Sequence, residues 1–575
     1  MKRYSNKIFK DNQAQPTLLR LALAQINPAV GDLKGNSQKV IDFINKAKSS
    51  EADLVCFPEL AVTGFPPNGL LLKKEFVREN IYQLRRIAKS CQGILALVGF
   101  VDCQNDKLYN ACGLLYNGKI VAVYHKRHIL KYGDFDEARF FSCGDTSPVF
   151  SLGGVLFKVK IGESDFKAES CLKGSLASRQ GLIIVLNASA YCIGKLRDFE
   201  KKMGKQALER KAFIASVNLV GGQDELVFAG QSAVVDYQGR LVARADSFAE
   251  ELLLADIQVP FFQKSGQKAK LKVISSSLNL KRDSHIINKI EPVKDDVAEV
   301  YEALKLGLKD YVQKNNFSKV VLGLSGGIDS SLVAVLACDA LGKENVVGVF
   351  MPSVYTSEES RRDAEQLANN LGIRLIEIPI NEIYKQFGLA LKDVFNGLGE
   401  DVTEENIQAR IRGSLLMALA NKFGWLVLAT GNKSELGTGY ATLYGDMAGG
   451  FAVIKDVYKT LVYRLARYRN SLVEVIPQGV FTKAPTAELR PNQKDSDTLP
   501  GYEILDKALR SFIEENKDIA GLVRAGISLN MARRIVRMVA KSEYKRRQSA
   551  LGVKITPSCL GKDFQLPVVN KYYKS

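Results

Sequence analysis

Residues 320–331 read Val-Val-Leu-Gly-Leu-Ser-Gly-Gly-Ile-Asp-Ser-Ser, and no other stretch limits the possible folds of this chain so strongly. The segment starts as a short apolar run of the kind buried in a parallel sheet. It breaks at Ser325-Gly326-Gly327 and enters Leu332-Val-Ala-Val-Leu-Ala, which has helical spacing. Two glycines at a strand-to-helix turn let the backbone come close to a ligand, and the helix start behind them favours an anion. Asp329 stands where a carboxylate could hold a divalent metal on that anion. No Gly-Lys-Ser/Thr follows, so this is not a Walker A loop. Within Gly323, Leu324, Ser325, Gly326, Gly327, Ile328, Asp329 and Ser330, the two central glycines, the helix start and Asp329 carry that reading.

The surrounding pattern agrees with a doubly wound parallel sheet. A helix is expected from near Asp295, with Val297, Val300, Tyr301, Leu304, Leu308 and Tyr311 on one face. After the Gly-rich loop, strands at 346–351, 375–380 and 425–430 alternate with helices at 358–371 and 406–421. Ligands in such sheets sit at the strand C-termini, where Ser325 and Thr430 both fall. Residues 430–446 are rich in Gly, Ser, Thr and charge, and read as a functional loop, too polar for a core element. Glu435 and Asp446 there could supply oxygen ligands to magnesium.

Earlier in the chain, strands at 54–57, 94–100 and 182–186 interleave with helical segments. Hairpins are expected at 114–124, around Asn117-Gly118, and at 230–245. That half reads as a layered α/β domain over 17–262, preceded by a polar extension, 1–16. Residues 263–295 change to Lys, Ser and Gln with little periodicity and read as a linker to a second domain, 296–575.

At 575 residues the chain exceeds one core, and 46% hydrophobic with 25% charged residues is ordinary soluble composition. No apolar run is long enough to span a membrane. Nine cysteines without a CxxC pair argue against a disulfide framework or zinc site, and a reducing cytoplasm is the expected location. The net charge of +18 is spread along the chain, so nucleic-acid binding is the minor reading beside polyphosphate substrates or solubility.

The succession SGGIDS (325–330), NIQARIRG (406–413), TGNKSE (430–435), GYATLYGDMAGGF (439–451), KDVYKT (455–460), PTAELRPNQKDSD (485–497) and YKRRQ (544–548) closely resembles NAD synthetases. It is most similar to the synthetase half of the two-domain, glutamine-dependent form, whose fold is that of the PP-loop ATP pyrophosphatases. The resemblance implies ATP-dependent amidation of deamido-NAD through an adenylate, with magnesium. By that similarity Gly323–Ser330 and Thr430 would bind ATP, and Asp329 and Glu435 the metal. Asn406, Arg410, Glu435, Asp446 and Lys545 would bind deamido-NAD, with Lys455 and Lys459 as weaker candidates for phosphate neutralisation. The family also implies a homo-oligomer paired through synthetase domains.

Residues 17–262 resemble the nitrilase-like glutaminase domain of that family, an αββα sandwich whose chemistry needs a Cys nucleophile, a Glu base and a Lys at the oxyanion. FPEL (57–60) matches the Glu motif at Glu59. YHKRHILKY (124–132) followed by FDEARFF (135–141) matches the Lys motif, giving Lys126, a supporting Glu137 and a pocket residue Tyr132. Leu130-Lys131 stand where the family has Pro-Asn. Ser189 and Lys195 match its glutamine-binding positions.

The third motif departs. The family reads Cys-Glu-Asp-x-Trp, and alignment puts Gly162 at the nucleophile, Ser164 for Asp and Phe166 for Trp. Glycine cannot form a thioester. The expectation is a glutaminase half without activity and an enzyme fed by free ammonia or by a separate ammonia donor. The alternatives are glutamine use through another thiol, Cys171 or Cys192, or a partner glutaminase. More distant readings are a nitrilase-superfamily amidase and a nucleic-acid-binding scaffold.

Overall fold

A computed structural model describes residues 17–130, 135–167, 181–259, 271–275 and 285–573. Contacts divide the chain into two units, residues 1–223 with 228–293, and residues 224–227 with 294–575. The polar extension 1–16, Lys131, Tyr132 and Cys171 lie outside the described residues.

The N-terminal part begins β1 (Thr17–Gln25), α1 (Leu33–Ser49), β2 (Leu54–Cys56), α2 (Lys74–Ser90), β3 (Leu95–Gln104), β4 (Lys107–Tyr116) and β5 (Lys119–His125). It continues β6 (Val149–Leu152), β7 (Val155–Ile161), α3 (Gly162–Lys167), β8 (Leu182–Asn187), α4 (Lys195–Arg210) and β9 (Phe213–Asn218). Next come β10 (Val220–Gln223), β11 (Leu226–Ala229), β12 (Ala233–Val235), β13 (Leu241–Arg244), β14 (Glu251–Val259) and β15 (Leu271–Ser275). One sheet has the order β14-β1-β2-β3-β4-β5 and the other β13-β12-β9-β8-β7-β6-β15, with β10 and β11 outside both.

The β8 strand shows why these layers form. Leu182, Ile184 and Leu186 join a core that also takes Leu21, Leu23, Leu97 and Leu114 from the facing sheet. Ile183 and Val185 point the other way, against Met203 and Ala207 of α4. A strand covered on both faces reads as a continuous apolar run, as this one does. On the far side, Val40 and Ile44 of α1 and Leu84 and Ile87 of α2 cover the first sheet, completing an αββα sandwich. Between β4 and β5, Asn117 and Gly118 take φ of 47° and 79°, the left-handed pair that a tight hairpin turn requires.

Two departures from the sequence reading stand out. Leu271–Ser275 lies in the stretch read as linker, yet it pairs in parallel with β6. Five residues are too few to show a period against a polar background. The helix expected from 406 begins at Val402 instead, because Asp401 and Glu404 form a capping box that recruits a polar first turn.

The second unit runs α5 (Asp296–Lys314), β16 (Val320–Gly323), α6 (Ile328–Leu341), β17 (Val346–Phe350), α7 (Glu358–Leu371) and β18 (Arg374–Glu377). Then follow α8 (Asn381–Leu391), α9 (Val402–Phe423), β19 (Leu426–Ala429), α10 (Lys433–Thr438), β20 (Phe451–Ala452) and α11 (Lys459–Leu472). The five strands lie in the order β18-β17-β16-β19-β20, and every pairing is parallel. In sequence order of strands this is 3-2-1-4-5, so the topological switch falls between β16 and β19, where doubly wound sheets bind ligands. Val321, Val347 and Val427 pack under Ile411, Leu416 and Ala420 of α9. Opposite, α6 is buried along nearly its whole length beneath α5 and α11.

The tie between the first and last strands of the N-terminal sheet is testable. Arg20 of β1 faces Asp256 of β14 in register, its Nε and Nη2 donating to the two carboxylate oxygens at 2.7 and 3.0 Å. Both side chains are about 95% buried, at 4% and 5% exposure. Asp256→Ala leaves the buried Arg20 with a weaker ion pair to the exposed Glu51, 3.6 Å away, so it should lower unfolding free energy by about 2 kcal/mol in chemical denaturation. A loss below about 1 kcal/mol would show the pair to be dispensable.

Candidate functional site

In the second unit the loop after β16 closes on itself before α6 begins. The Gly327 amide donates to Ser325 Oγ at 3.2 Å, and the hydroxyls of Ser330 and Ser331 donate to the Gly327 carbonyl at 3.1 and 2.8 Å. Gly326 takes φ of +74°, and a Cβ there would meet the Ser360 carbonyl oxygen at 2.4 Å. The second glycine of the motif is thus required by both backbone conformation and the approach of α7. This loop forms one wall of a cavity of about 290 Å³, which Gly323–Ser330, Thr430, Glu435 and Asp446 all line.

Beside the loop the cavity holds a lysine between carboxylates. Lys459, at the start of α11, contacts Asp329 and lies 3.3 Å from Glu435 Oε1. Asn432 holds both acids, donating from Nδ2 to Asp329 Oδ1 at 2.9 Å and capping α10 at the Glu435 amide at 3.0 Å. Burial pushes the Glu435 carboxyl up to about 8, with Lys459 pulling it down and Asp329 pushing further up. Burial alone would strip Lys459 of its proton, but Asp329 and Glu435 outweigh it and hold the ammonium charged. Two carboxyl groups thus face the cavity beside one ammonium. Magnesium takes one or two carboxylates and leaves its other positions to phosphates and water, so this donor set fits it. Among the described residues no cluster of three or more protein ligands exists that would bind a metal without such help.

Asn406, Arg410, Asp446 and Lys545 converge on the 439–446 loop. Thr442 Oγ1 donates to Asn406 Oδ1 at 2.7 Å and its amide to Asp446 Oδ1 at 2.6 Å. Arg410 Nε donates to the Leu443 carbonyl at 3.3 Å, and Lys545 Nζ to those of Gly439 and Ala441 at 2.9 and 2.7 Å. Burial lifts the Asp446 carboxyl to about 6, opposed by the Thr442 amide and by Lys545. Of these four only Asp446 lines the cavity itself. Lys455 turns away to the Ala550 carbonyl, 2.7 Å from its Nζ, while Lys459 joins the site.

The polar stretch 430–446 does contribute to the core, contrary to the sequence reading. Lys433 of α10 has no exposed side-chain surface and pairs with Asp456 at 2.8 Å and Glu514 at 2.9 Å. Ion pairing lets a polar segment be buried, and no hydrophobic period announces it. Arg412, Lys483, Glu488 and Asp495 also line the cavity and escaped the sequence reading, although Arg412 sits within NIQARIRG.

In the first unit, Lys126 Nζ lies 2.8 Å from Glu59 Oε1 and 2.7 Å from Glu137 Oε1, all three side chains buried. Asn110 Nδ2 donates to the same two oxygens at 2.7 and 3.0 Å. Burial raises the Glu59 carboxyl, with Lys126 lowering it and Glu137 raising it. The two acids more than offset the effect of burial on Lys126 and keep it protonated. Gly162 follows β7 with φ of +69°, and a Cβ there would point at Lys126 Nζ, 2.7 Å away, and Glu59 Oε2, 3.2 Å away. The site is thus assembled around a position that carries no side chain.

The neighbouring pocket residues are engaged internally. Ser189 Oγ donates to Glu163 Oε1 at 2.6 Å, and Lys195 Nζ lies 3.4 Å from the same oxygen. Ser164 donates to the His128 carbonyl at 2.6 Å, and Phe166 packs in the core with α4. Buried Asp165 accepts from the Tyr124 hydroxyl at 2.5 Å.

Comparison with known proteins gives these sites a context. A carbon-nitrogen hydrolase model matches residues 20–265 and an NAD synthase model residues 300–549. The glutamine-dependent NAD(+) synthetase of Thermotoga maritima is 45% identical over 571 residues, covering 96% of this chain and 99% of the relative. That of Aquifex aeolicus is 43% identical over 569 residues, covering 97% and 100%. The structure of the Acinetobacter baumannii glutamine-dependent NAD+ synthetase in complex with ADP has 37% identity and a TM-score of 0.74, covering 96% of this chain and 99% of that one. With both matched segments in one chain and relatives aligned along nearly their full length, this chain belongs to the glutamine-dependent NAD(+) synthetase family of ligases.

Proposed function

We propose that this protein amidates deamido-NAD at the expense of ATP in its second unit, and that its first unit does not hydrolyse glutamine. Ammonia, free or handed over by another protein, is then the nitrogen source. The observation that carries the second statement is Gly162: the backbone aims a missing side chain at Lys126 and Glu59.

In the synthetase unit, the amides of Gly326 and Gly327 and the hydroxyls of Ser325 and Ser330 receive the pyrophosphate end of ATP, with Thr430 at the neighbouring strand end contacting the same nucleotide. Asn406, Arg410, Glu435, Asp446 and Lys545 hold deamido-NAD. Asp329 and Glu435 would hold magnesium, which supplies charge neutralisation for the phosphates. A nicotinate carboxylate oxygen attacks the α-phosphorus, and the bond to the β-phosphate oxygen breaks with its electrons leaving on pyrophosphate. Ammonia nitrogen then attacks the acyl carbon of the adenylate, and the carbon–oxygen bond to AMP breaks. No side chain forms a covalent bond in this scheme. The protein contributes orientation and fixed charge, and Lys459 holds Asp329 and Glu435 together at the cavity.

In the glutaminase-like unit, Glu59, Lys126 and Glu137 form a saturated ion cluster. The base and the oxyanion cation stand ready for a thiol that residue 162 cannot supply. Ser189 and Lys195, the candidate glutamine-binding pair, are held by Glu163, while Tyr132 lies outside the described residues. Cys192 lies within the same 189–195 stretch, but the missing Cβ defines where a nucleophile must stand, and 1 Å of displacement is costly.

The synthetase units also carry a surface suited to self-pairing. Helix α8 has no buried residue, and Phe387, Leu389, Val394 and Leu398 expose 46%, 57%, 74% and 74% of their surface. Apolar exposure of this extent marks a contact surface. Replacing Phe387 and Leu398 together with Asp should convert a dimer to monomer in sedimentation, and an unchanged sedimentation coefficient would place the contact elsewhere. Among the described residues no helix is long and apolar enough to cross a membrane.

The nitrogen source is tested by NAD formation from deamido-NAD and ATP with either ammonium or glutamine. The wild type should work with ammonium and show no glutamine-driven rate above background. Gly162→Cys should gain some glutamine use, at the cost of holding a cysteine at φ of +69° and of displacing Lys126 Nζ, 2.7 Å from the new Cβ, and Glu59 Oε2, 3.2 Å from it. A wild-type rate with glutamine equal to that with ammonium would overturn the reading.

A further inference from the structure

Three cations line the cavity of the second unit: Lys459, Lys483 and Arg412. Lys459 contacts Asp329 and Glu435. Lys483 lies 2.6 Å from Glu488 Oε1 and 3.2 Å from the Ser357 hydroxyl. Arg412 differs from both. It projects from α9 and is anchored through one nitrogen, Nε, which donates to the Met351 carbonyl at 3.0 Å just past the end of β17. Among the described residues it has no carboxylate within ion-pair distance, and Glu488 acts on it only from farther away. Burial pushes the guanidinium down to about 10, so it has lost water without gaining an anion. Its side chain is partly exposed and lines the cavity.

The neighbourhood locates that opening. A Cβ on Gly323, the residue that begins the phosphate-binding loop, would sit 3.4 Å from Met351 Cε and 3.7 Å from Leu416 Cδ1 of the Arg412 helix. Arg412 therefore stands one strand over from the loop, fixed at its root, with its fork free. A planar guanidinium held in this way offers paired N–H donors that match phosphate oxygens, and an incoming anion repays the desolvation that no protein carboxylate has offset.

We infer that Arg412 is a nucleotide-binding residue that grips a phosphate group of the ATP bound in this cavity, since among the described residues it lines the cavity without a carboxylate partner. The inference rests on the reading of the cavity as the ATP site. If it holds, Arg412 is a recognition element beside the Gly-rich loop, anchoring the phosphates from the β17 side while the loop holds them from the α6 side.

Equilibrium binding of ATP and of adenosine to the wild type, R412M and R412K tests it. R412M should bind ATP about 10- to 100-fold more weakly, the loss expected for one charged bidentate contact, with adenosine affinity unchanged. R412K, which keeps the charge without the fork, should fall between the two and guards against misfolding of R412M. Equal weakening for ATP and adenosine would place Arg412 on the base and overturn the inference. So would ATP affinity unchanged in both variants, leaving the Met351 contact as a brace only. A wild-type protein that binds no ATP would overturn the reading of the cavity, and this inference with it.

Discussion

A lysine ammonium held between two buried carboxylates is the interaction on which both halves of this protein depend. It occurs at Lys126 with Glu59 and Glu137, at Lys459 with Asp329 and Glu435, and at Lys433 with Asp456 and Glu514. Each trio gathers ionisable groups in a place with little water, and burial of charge is tolerable only with good geometry and further hydrogen bonds. Asn110 supplies those bonds in the first trio and Asn432 in the second. In the third, Lys433 donates to Thr556 and the Ser558 carbonyl. The three differ in what surrounds them. The Lys433 trio is sealed and fastens α10 beneath the active cavity. The Lys459 trio faces open space lined by the Gly-rich loop, so its carboxyl oxygens can be reached by a metal carried in with phosphates. The Lys126 trio faces the bare Cα of Gly162.

That contrast gives the proposed division of labour a physical basis. The proposed synthetase chemistry asks for positioning and charge neutralisation, which backbone amides, carboxylates and cations at the cavity can supply. The proposed glutaminase-like half has an acid and a cation but no side-chain atom at residue 162 to form a bond, and electrostatics cannot replace a covalent step. The Glu59–Lys126–Glu137 cluster needs no catalytic explanation, since removing Lys126 would leave two buried acids unpaired and removing either acid would cost Lys126 and Asn110 a buried partner.

Much of this was legible in the sequence, and the limits follow a pattern. The strand–turn–helix at 320–331 was readable because apolar run, glycines and helical spacing are local features, and α7 spans the expected 358–371 because Ser357 and Gly372 cap it. The hairpin at Asn117-Gly118 was readable for the same reason. What escaped was decided by tertiary context. β20 has only two residues, and β15 is an edge addition in a polar stretch. The burial of α10 depends on Asp456 and Glu514, both distant in sequence from Lys433. Arg412 lies two residues from Arg410 on the same helix, and only the structure separates their surroundings: Arg410 reaches the 439–446 loop, Arg412 the cavity beside Gly323. Among the candidate site residues, spacing found the loop and the resemblance found the partners, but neither could reveal that Gly162 points at Lys126.

The central claim is that the cavity between β16 and β19 activates a carboxylate by transferring an adenylyl group from ATP. The most direct measurement is the identity and stoichiometry of the nucleotide products when the protein turns over deamido-NAD, ATP and ammonium. AMP and pyrophosphate should each form in equal amount to NAD, in keeping with a loop that holds pyrophosphate as an intact leaving group. Accumulation of ADP and inorganic phosphate in step with NAD would mean attack at the γ-phosphate and would contradict the account.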